Sequence, residues 1–215
     1  MPDPVQFDRL IYGGSFDPPH RGHVAIVEHV LRHSITRAID LIPAAVSPFK
    51  QDAPPTSGVD RLALLHAALS EFEREHSKER IRVRTLELDR PPPSYSADTC
   101  AALRALFPGQ TLGLLIGSDS LRELHLWTRI ASILEHHPVC VFQRDSESRA
   151  ESEAISAQLA TDFAGARFHL LDNPLVPCAS SAIRAQLAAG VESAVADCLT
   201  PEVLVEIERR GLYRG

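Results

Sequence analysis

Residues 7–33 read FDRLIYGGSFDPPHRGHVAIVEHVLRH, and the rest of the chain is best read outward from them. The apolar run Leu10-Ile11-Tyr12 closes on Gly13-Gly14, as a strand does when it ends in a turn. From Arg21 to His33, the residues Val24, Val27, Val30 and Leu31 recur at helical spacing and share one face. A strand therefore passes through a glycine- and proline-rich turn into a helix that begins near His20.

The same alternation runs down the chain. AIDLIP (38–43), RIRVRTLEL (80–88), TLGLLIG (111–117), PVCVFQR (138–144) and ARFHLLD (166–172) read as strands. TLGLLIG is almost wholly apolar, as a central parallel strand covered on both faces should be. Helices are expected over 60–76, with Asp60 as its cap, over 97–107, and after an acidic loop within 146–163. Two more are expected near 180–189 and 201–210. Strands alternating with helices predict an α/β fold: a doubly wound, mostly parallel sheet with helices on both faces. The polar segment 145–154, rich in like charges, is the expected flexible stretch. One domain spanning residues 1–215 suits the length.

The chain has 215 residues, 44% of them hydrophobic and 23% charged, an ordinary globular composition. A net charge of −6 is a poor footprint for binding long nucleic acids. An anionic ligand would need a local positive field. No apolar run approaches the roughly 20 residues that span a bilayer. Cys100, Cys140, Cys178 and Cys198 are scattered without a C-x-x-C pair. That argues against a disulfide framework or a cysteine zinc site, and points to a reducing, cytoplasmic setting.

In an open parallel sheet, ligands gather beyond the carboxyl ends of the strands, where residues 13–23 fall. Gly13 and Gly14 let the backbone approach a ligand closely. The helix that follows offers free amides and a positive dipole end, an anion site. His20 and His23, three apart, share one helical face there, with Gly22 between them. Imidazole suits this place, because its charged form is disfavoured until an anion arrives. Solvated histidines on a surface helix are the competing reading. Neither G-x-x-x-x-G-K-[ST] nor G-x-G-x-x-G is present.

GGSFDPPHRGH resembles the G-G-x-F-D-P-x-H-x-G-H signature of the nucleotidylyltransferases, and more narrowly that of the bacterial nicotinate-nucleotide adenylyltransferases. The resemblance implies a Rossmann-like fold. It also implies adenylyl transfer from ATP to nicotinate mononucleotide, with Mg²⁺ accompanying ATP and no protein ligand set for a metal. Nicotinamide mononucleotide or phosphopantetheine as acceptor, and a non-catalytic nucleotide sensor, stay open, as does a homo-oligomeric assembly. Nucleic acid and membrane partners are not expected.

Other segments carry the resemblance further. PCASSAIR (177–184) is similar to the family's I-S-S-T-x-I-R, with Ala179 where Ser is usual and Ser181 where Thr is usual. On the residues alone, Ser180 or Ser181 caps a helix and Arg184 follows on the same side; an ordinary cap beside an exposed arginine stays open. ELDRPPPSYSADT (87–99) resembles E-x-x-R-x-x-x-S-Y-T-x-x-T, which implies a mononucleotide pocket at Ser94, Tyr95 and Ser96; Ser96 also reads as a helix cap. GSDSLRELHLW (117–127) resembles G-x-D-x-x-x-x-x-x-x-W, which implies Asp119 at ribose hydroxyls and Trp127 on the pyridine ring, although a single Trp also reads as a core anchor. Lys50 and Arg144 match more weakly.

The resemblance thus implies His20, His23 and Arg184 as catalytic. Around ATP it implies Gly13, Gly14, Ser15, Phe16, Gly22, Gly117, Asp119, Arg144, Ser180 and Ser181 beside those three, with the C-terminal helices 180–213 completing the site. Around the mononucleotide it implies Ser15, Phe16, Lys50, Ser94, Tyr95, Ser96 and Trp127.

Overall fold

A computed structural model describes residues 7–46, 55–75, 80–145 and 148–214. Strand β1 (Phe7–Gly14) leads into helix α1 (Arg21–Arg32), then β2 (Thr36–Pro43), α2 (Gly58–Glu75) and β3 (Ile81–Val83). Helix α3 (Ser96–Leu106) crosses to β4 (Leu112–Gly117). After it come α4 (Ser118–Arg122), a 3-10 turn (Leu124–Leu126), α5 (Ile130–His136) and β5 (Val139–Phe142). Helix α6 (Ser148–Asp162), β6 (Phe168–Leu170), α7 (Ser180–Ala188), a 3-10 turn (Glu192–Val195) and α8 (Pro201–Arg210) complete the chain.

The sheet has the order β3-β2-β1-β4-β5-β6, and every pair of neighbours is parallel. The sequence predicts a mostly parallel sheet, and the described strands are parallel throughout. Alternation along each strand divides the core. Leu10, Tyr12, Leu115, Cys140 and Phe142 face α1 and α2, while Ile11, Leu114, Ile116, Val139 and Val141 face α3 to α6. All six residues of β4 are buried, as a strand covered on both faces requires. A third cluster joins Leu64 and Ala68 of α2 to Ile183 and Leu187 of α7 and Val203 and Ile207 of α8. That cluster docks the C-terminal helices beside the sheet. Chain order reverses between β1 and β4, so the crevice opens at the carboxyl ends of those two strands.

Several local expectations are corrected. The strand expected over 80–88 ends at Val83, because Thr85 and Asp89 close a turn through a 2.6 Å side-chain bond. Ser57, not Asp60, caps α2: its hydroxyl accepts from the Asp60 amide at 3.1 Å and donates to the Asp60 carboxylate. Ser96 lies inside α3 after the cap position at Tyr95, and makes no cap bond. Most of 145–154 is the first part of α6, not a loose segment; residues 146 and 147 lie outside the described residues.

The cysteines hold the largest departure. Cys178 and Cys198 form a disulfide, with α carbons 5.6 Å apart. The chain runs out along α7 and back through the 3-10 turn at Glu192–Val195, so residues far apart in sequence meet; no motif spacing announces this. Cys100 and Cys140 are free and buried. Among the described residues, no helix is long and apolar enough to cross a membrane.

Candidate active site

The turn after β1 shapes the floor of the crevice. Phe16 is buried with φ of 48°, a backbone region that side chains other than glycine rarely enter. Its ring meets Tyr12 edge-on and lies 5.0 Å from the His23 ring. The ring leaves little room at Gly14, where a Cβ would stand 3.1 Å from it. A Cβ on Gly13 would meet nothing within 4 Å, so Gly13 opens onto the cleft.

His20 is the N-cap of α1, and His23 sits in its first turn. Their rings stack at 3.8 Å. The His20 amide donates to Nδ1 of His23 at 3.1 Å, so a neutral His23 keeps its proton on Nε2, free to donate. Burial, with the Arg144 guanidinium adding to it, pushes His20 down to about 4. Burial, then the neighbouring His20 and Arg144, holds His23 well below the usual histidine range. At neutral pH both rings are therefore uncharged. Gly22 lies against the His20 ring, where a Cβ would stand 3.0 Å away.

These depressed values set a pH dependence. The unfolded chain protonates His20 near 6.5, the folded one near 4. The contribution of neutral His20 to stability is thus fully present above pH 6.5 and is lost as pH falls toward 4. Histidine 20 alone contributes a loss of about 3 kcal/mol across that window. Urea midpoints measured at pH 7 and pH 4.5 should show the fall, and equal midpoints would contradict it.

Helix α7 brings its first turn to the same place. The Ser180 hydroxyl donates to the Pro18 carbonyl at 2.9 Å, and Arg184 donates through Nη1 to the Asp17 carbonyl at 2.5 Å. The expected cap at Ser180 or Ser181 is replaced: Ala179 holds the cap position without a side-chain bond, and the Ser180 hydroxyl reaches across to the turn before α1. The two helix starts are thereby fastened to each other.

A cleft of about 690 Å³ runs along both, within the usual size of a ligand site. Gly13, Gly14, Ser15, Phe16, His20, His23, Ser180, Ser181 and Arg184 line it together with Ser94, Tyr95, Ser96 and Trp127. A smaller pocket of about 320 Å³ continues past Gly22, Phe142, Asn173 and Val176. Trp127 is half-buried, packed on the core and open to the cleft, so the core-anchor reading holds and the ring still borders the cleft. Gly117 and Asp119 also border the cleft; Asp119 binds Arg144 at 3.0 Å, so one of its oxygens is engaged. A Cβ on Gly117 would collide with that carboxylate. Lys50 lies outside the described residues.

The segment 87–99 is held from beneath. Arg90 donates to the Thr99 hydroxyl at 2.6 Å, and that hydroxyl donates to buried Glu87 at 2.6 Å. Asp17, buried, accepts from Tyr213 at 2.7 Å and from the Thr56 amide at 3.2 Å. The sequence reading missed Asp17, Arg61 and Tyr213 as site supports. Arg61 carried a signal: it lies on the apolar stripe of α2 with Leu64, Leu65, Ala68 and Leu69, where a charge needs a reason.

A cleft that runs past two fastened helix starts and is lined by histidines, serines and an arginine suits the class of nucleotidyltransferases. Residues 11–186 match the cytidylyltransferase-like family model. A probable nicotinate-nucleotide adenylyltransferase of Leptospira borgpetersenii is 35% identical over 205 residues, covering 94% of this chain and 95% of the relative. One from Cronobacter sakazakii is 31% identical over 227 residues, covering 100% and 99%. The chain belongs to the cytidylyltransferase-like family and, within it, to the nicotinate-nucleotide adenylyltransferases. The solved structure of Plasmodium falciparum nicotinic acid mononucleotide adenylyltransferase complexed with NaAD shares the fold, with a TM-score of 0.75 at 18% identity over 95% of this chain and 96% of that one.

Proposed function

We propose that the protein transfers the adenylyl group of ATP to nicotinate mononucleotide. The mononucleotide phosphate attacks the α-phosphorus of ATP, the bond from that phosphorus to the bridging β-oxygen breaks, and pyrophosphate leaves with the dinucleotide as the other product. The observation that carries the reading is the fastening of α1 to α7 at Pro18 and Asp17 beside the paired histidines. One triphosphate can then meet imidazole, hydroxyl and guanidinium together. No covalent intermediate is needed, so catalysis is positioning and charge stabilisation.

His20 and His23 take the α- and β-phosphates, and Ser180, Ser181 and Arg184 the β/γ side. Gly13, Gly14, Ser15 and Phe16 form the floor; Gly117, Asp119 and Arg144 flank the ribose. The adenine enters the smaller pocket past Gly22. Ser94, Tyr95, Ser96 and Trp127 receive the mononucleotide. Residues 1–215 act as one unit, with 180–213 completing the ATP side. Among the described residues no group of three His, Cys, Asp or Glu could hold a metal ion. Mg²⁺ would enter on the triphosphate with water in its shell, as its hydration favours, and neutralise phosphate charge. A cytoplasmic location follows from these small-molecule substrates rather than from the cysteines.

Purified protein given ATP and nicotinate mononucleotide should release pyrophosphate and form the dinucleotide faster than with nicotinamide mononucleotide or phosphopantetheine. Nucleotide binding without pyrophosphate release would overturn the reading in favour of a sensor. Trp127 supplies a direct probe, because it is the single Trp of the chain. Mononucleotide should quench its fluorescence, and Trp127→Ala should raise the mononucleotide KM by about 10- to 100-fold, the scale of one lost stacking contact. An unchanged KM would remove Trp127 from the acceptor site.

A further inference from the structure

We propose that Arg61 is a positioning residue that holds the ATP-side loop and the acceptor-side loop at a fixed separation, without touching either substrate. It rests on the adenylyl-transfer reading above. Arg61 is 1% exposed and is the largest fully buried side chain among the described residues. It does not line the cleft.

Its guanidinium gathers three separate segments by their carbonyls. Nε donates to Thr56 at 2.8 Å, Nη1 to Ser15 at 2.7 Å and Nη2 to Ala45 at 3.4 Å. Ser15 belongs to the floor of the ATP side. Ala45 leads to the other side: its amide donates to the Ser94 hydroxyl at 2.9 Å, and the Ser94 amide donates to the Val46 carbonyl at 2.9 Å. A continuous path therefore runs from Ser15 through Arg61 and Ala45 to Ser94, from one substrate's loop to the other's.

The chemistry gives such a path a purpose. Taking a guanidinium out of water costs several kcal/mol unless its donors are met, and an apolar side chain could fill the same volume. The Asp17 carboxylate, which attracts the charge, and the carbonyls offset that cost. A planar fork reaches carbonyls in divergent directions from one rigid group; an ammonium cannot reproduce that span. In-line displacement is sensitive to the separation of attacking oxygen and phosphorus, and a misplacement of about 1 Å lowers the rate by about 100-fold. Each loop can still bind its own substrate when the spacing between them drifts.

The test is steady-state kinetics of Arg61→Lys with each substrate varied in turn. Its kcat should fall by about 10- to 100-fold while both KM values stay within about threefold. A kcat per folded enzyme within threefold of the wild type overturns the proposal, as does a loss seen as a raised KM. Wild-type protein that makes no dinucleotide overturns the underlying reading instead, and this proposal with it.

Should Arg61→Lys fail to fold, Arg61→Gln removes the buried charge and keeps a neutral amide that reaches fewer of the three carbonyls. Its loss should again fall on kcat; a loss seen only as a raised KM for either substrate overturns the proposal.

Discussion

Replacing His23 with alanine is expected to lower kcat by about 100- to 1,000-fold, the usual cost of one preorganised donor to developing charge. The mononucleotide KM should stay near its wild-type value, because the proposed reaction gives His23 to the triphosphate and Ser94–Ser96 and Trp127 to the mononucleotide. The imidazole's Nδ1 is occupied by the His20 amide, so only Nε2 can act on a phosphate oxygen. His23→Gln, which can still present an N–H, should recover part of the loss if hydrogen bonding dominates. It should recover almost none if the ring must become charged as the triphosphate arrives. Rapid-quench measurement of dinucleotide formation separates the chemical step from product release. An unchanged chemical step would remove His23 from catalysis.

Arg184→Ala should lower kcat/KM for ATP by about 1,000-fold, the low end of what a guanidinium contributes at a transferring phosphoryl group. Arg184→Lys should regain little, since a single ammonium cannot bond the Asp17 carbonyl and a phosphate as a fork does. Arg184→Ala also loses its bond to the Asp17 carbonyl, a stability cost of about 1–3 kcal/mol. Assays run well below the variant's measured melting temperature separate the expected loss from unfolding. Full activity in Arg184→Ala would detach α7 from the triphosphate.

Local patterns made much of this site legible. A strand that ends in two glycines and a helix that opens with histidines depend on neighbouring residues, and neighbouring residues are what a sequence displays. The apolar continuity of Leu112–Gly117 likewise announced a central strand, and β4 is buried throughout. The segment 87–99 was recognised as a unit by resemblance; the chain of bonds among Arg90, Thr99 and Glu87 supplies its physical reason.

What escaped depends on distance through the chain. Cys178 meets Cys198 only because α7 doubles back, so counting spacings misjudged them. Asp17 finds Tyr213 across almost the whole sequence. The residues 118–136 between β4 and β5 hold α4 and α5, which are five and seven residues long and too short to print a clear period. Segment 145–154 was misjudged from its charge; α6 turns that charge outward and buries Ser152 and Ser156.

The link between Cys178 and Cys198 also governs how the molecule transmits disturbance. It ties off helix α7 as a closed leash, and the neck of that leash is moored to α1, whose Arg21 amide donates to the Cys198 carbonyl at 2.8 Å. Fraying passed along the chain from α8 meets that neck before it meets Ser180 or Arg184, while α8 packs on Ile183 and Leu187 and Tyr213 bonds Asp17. The start of α7 is thus held from two directions, by a covalent loop on one and by the tail of the chain on the other.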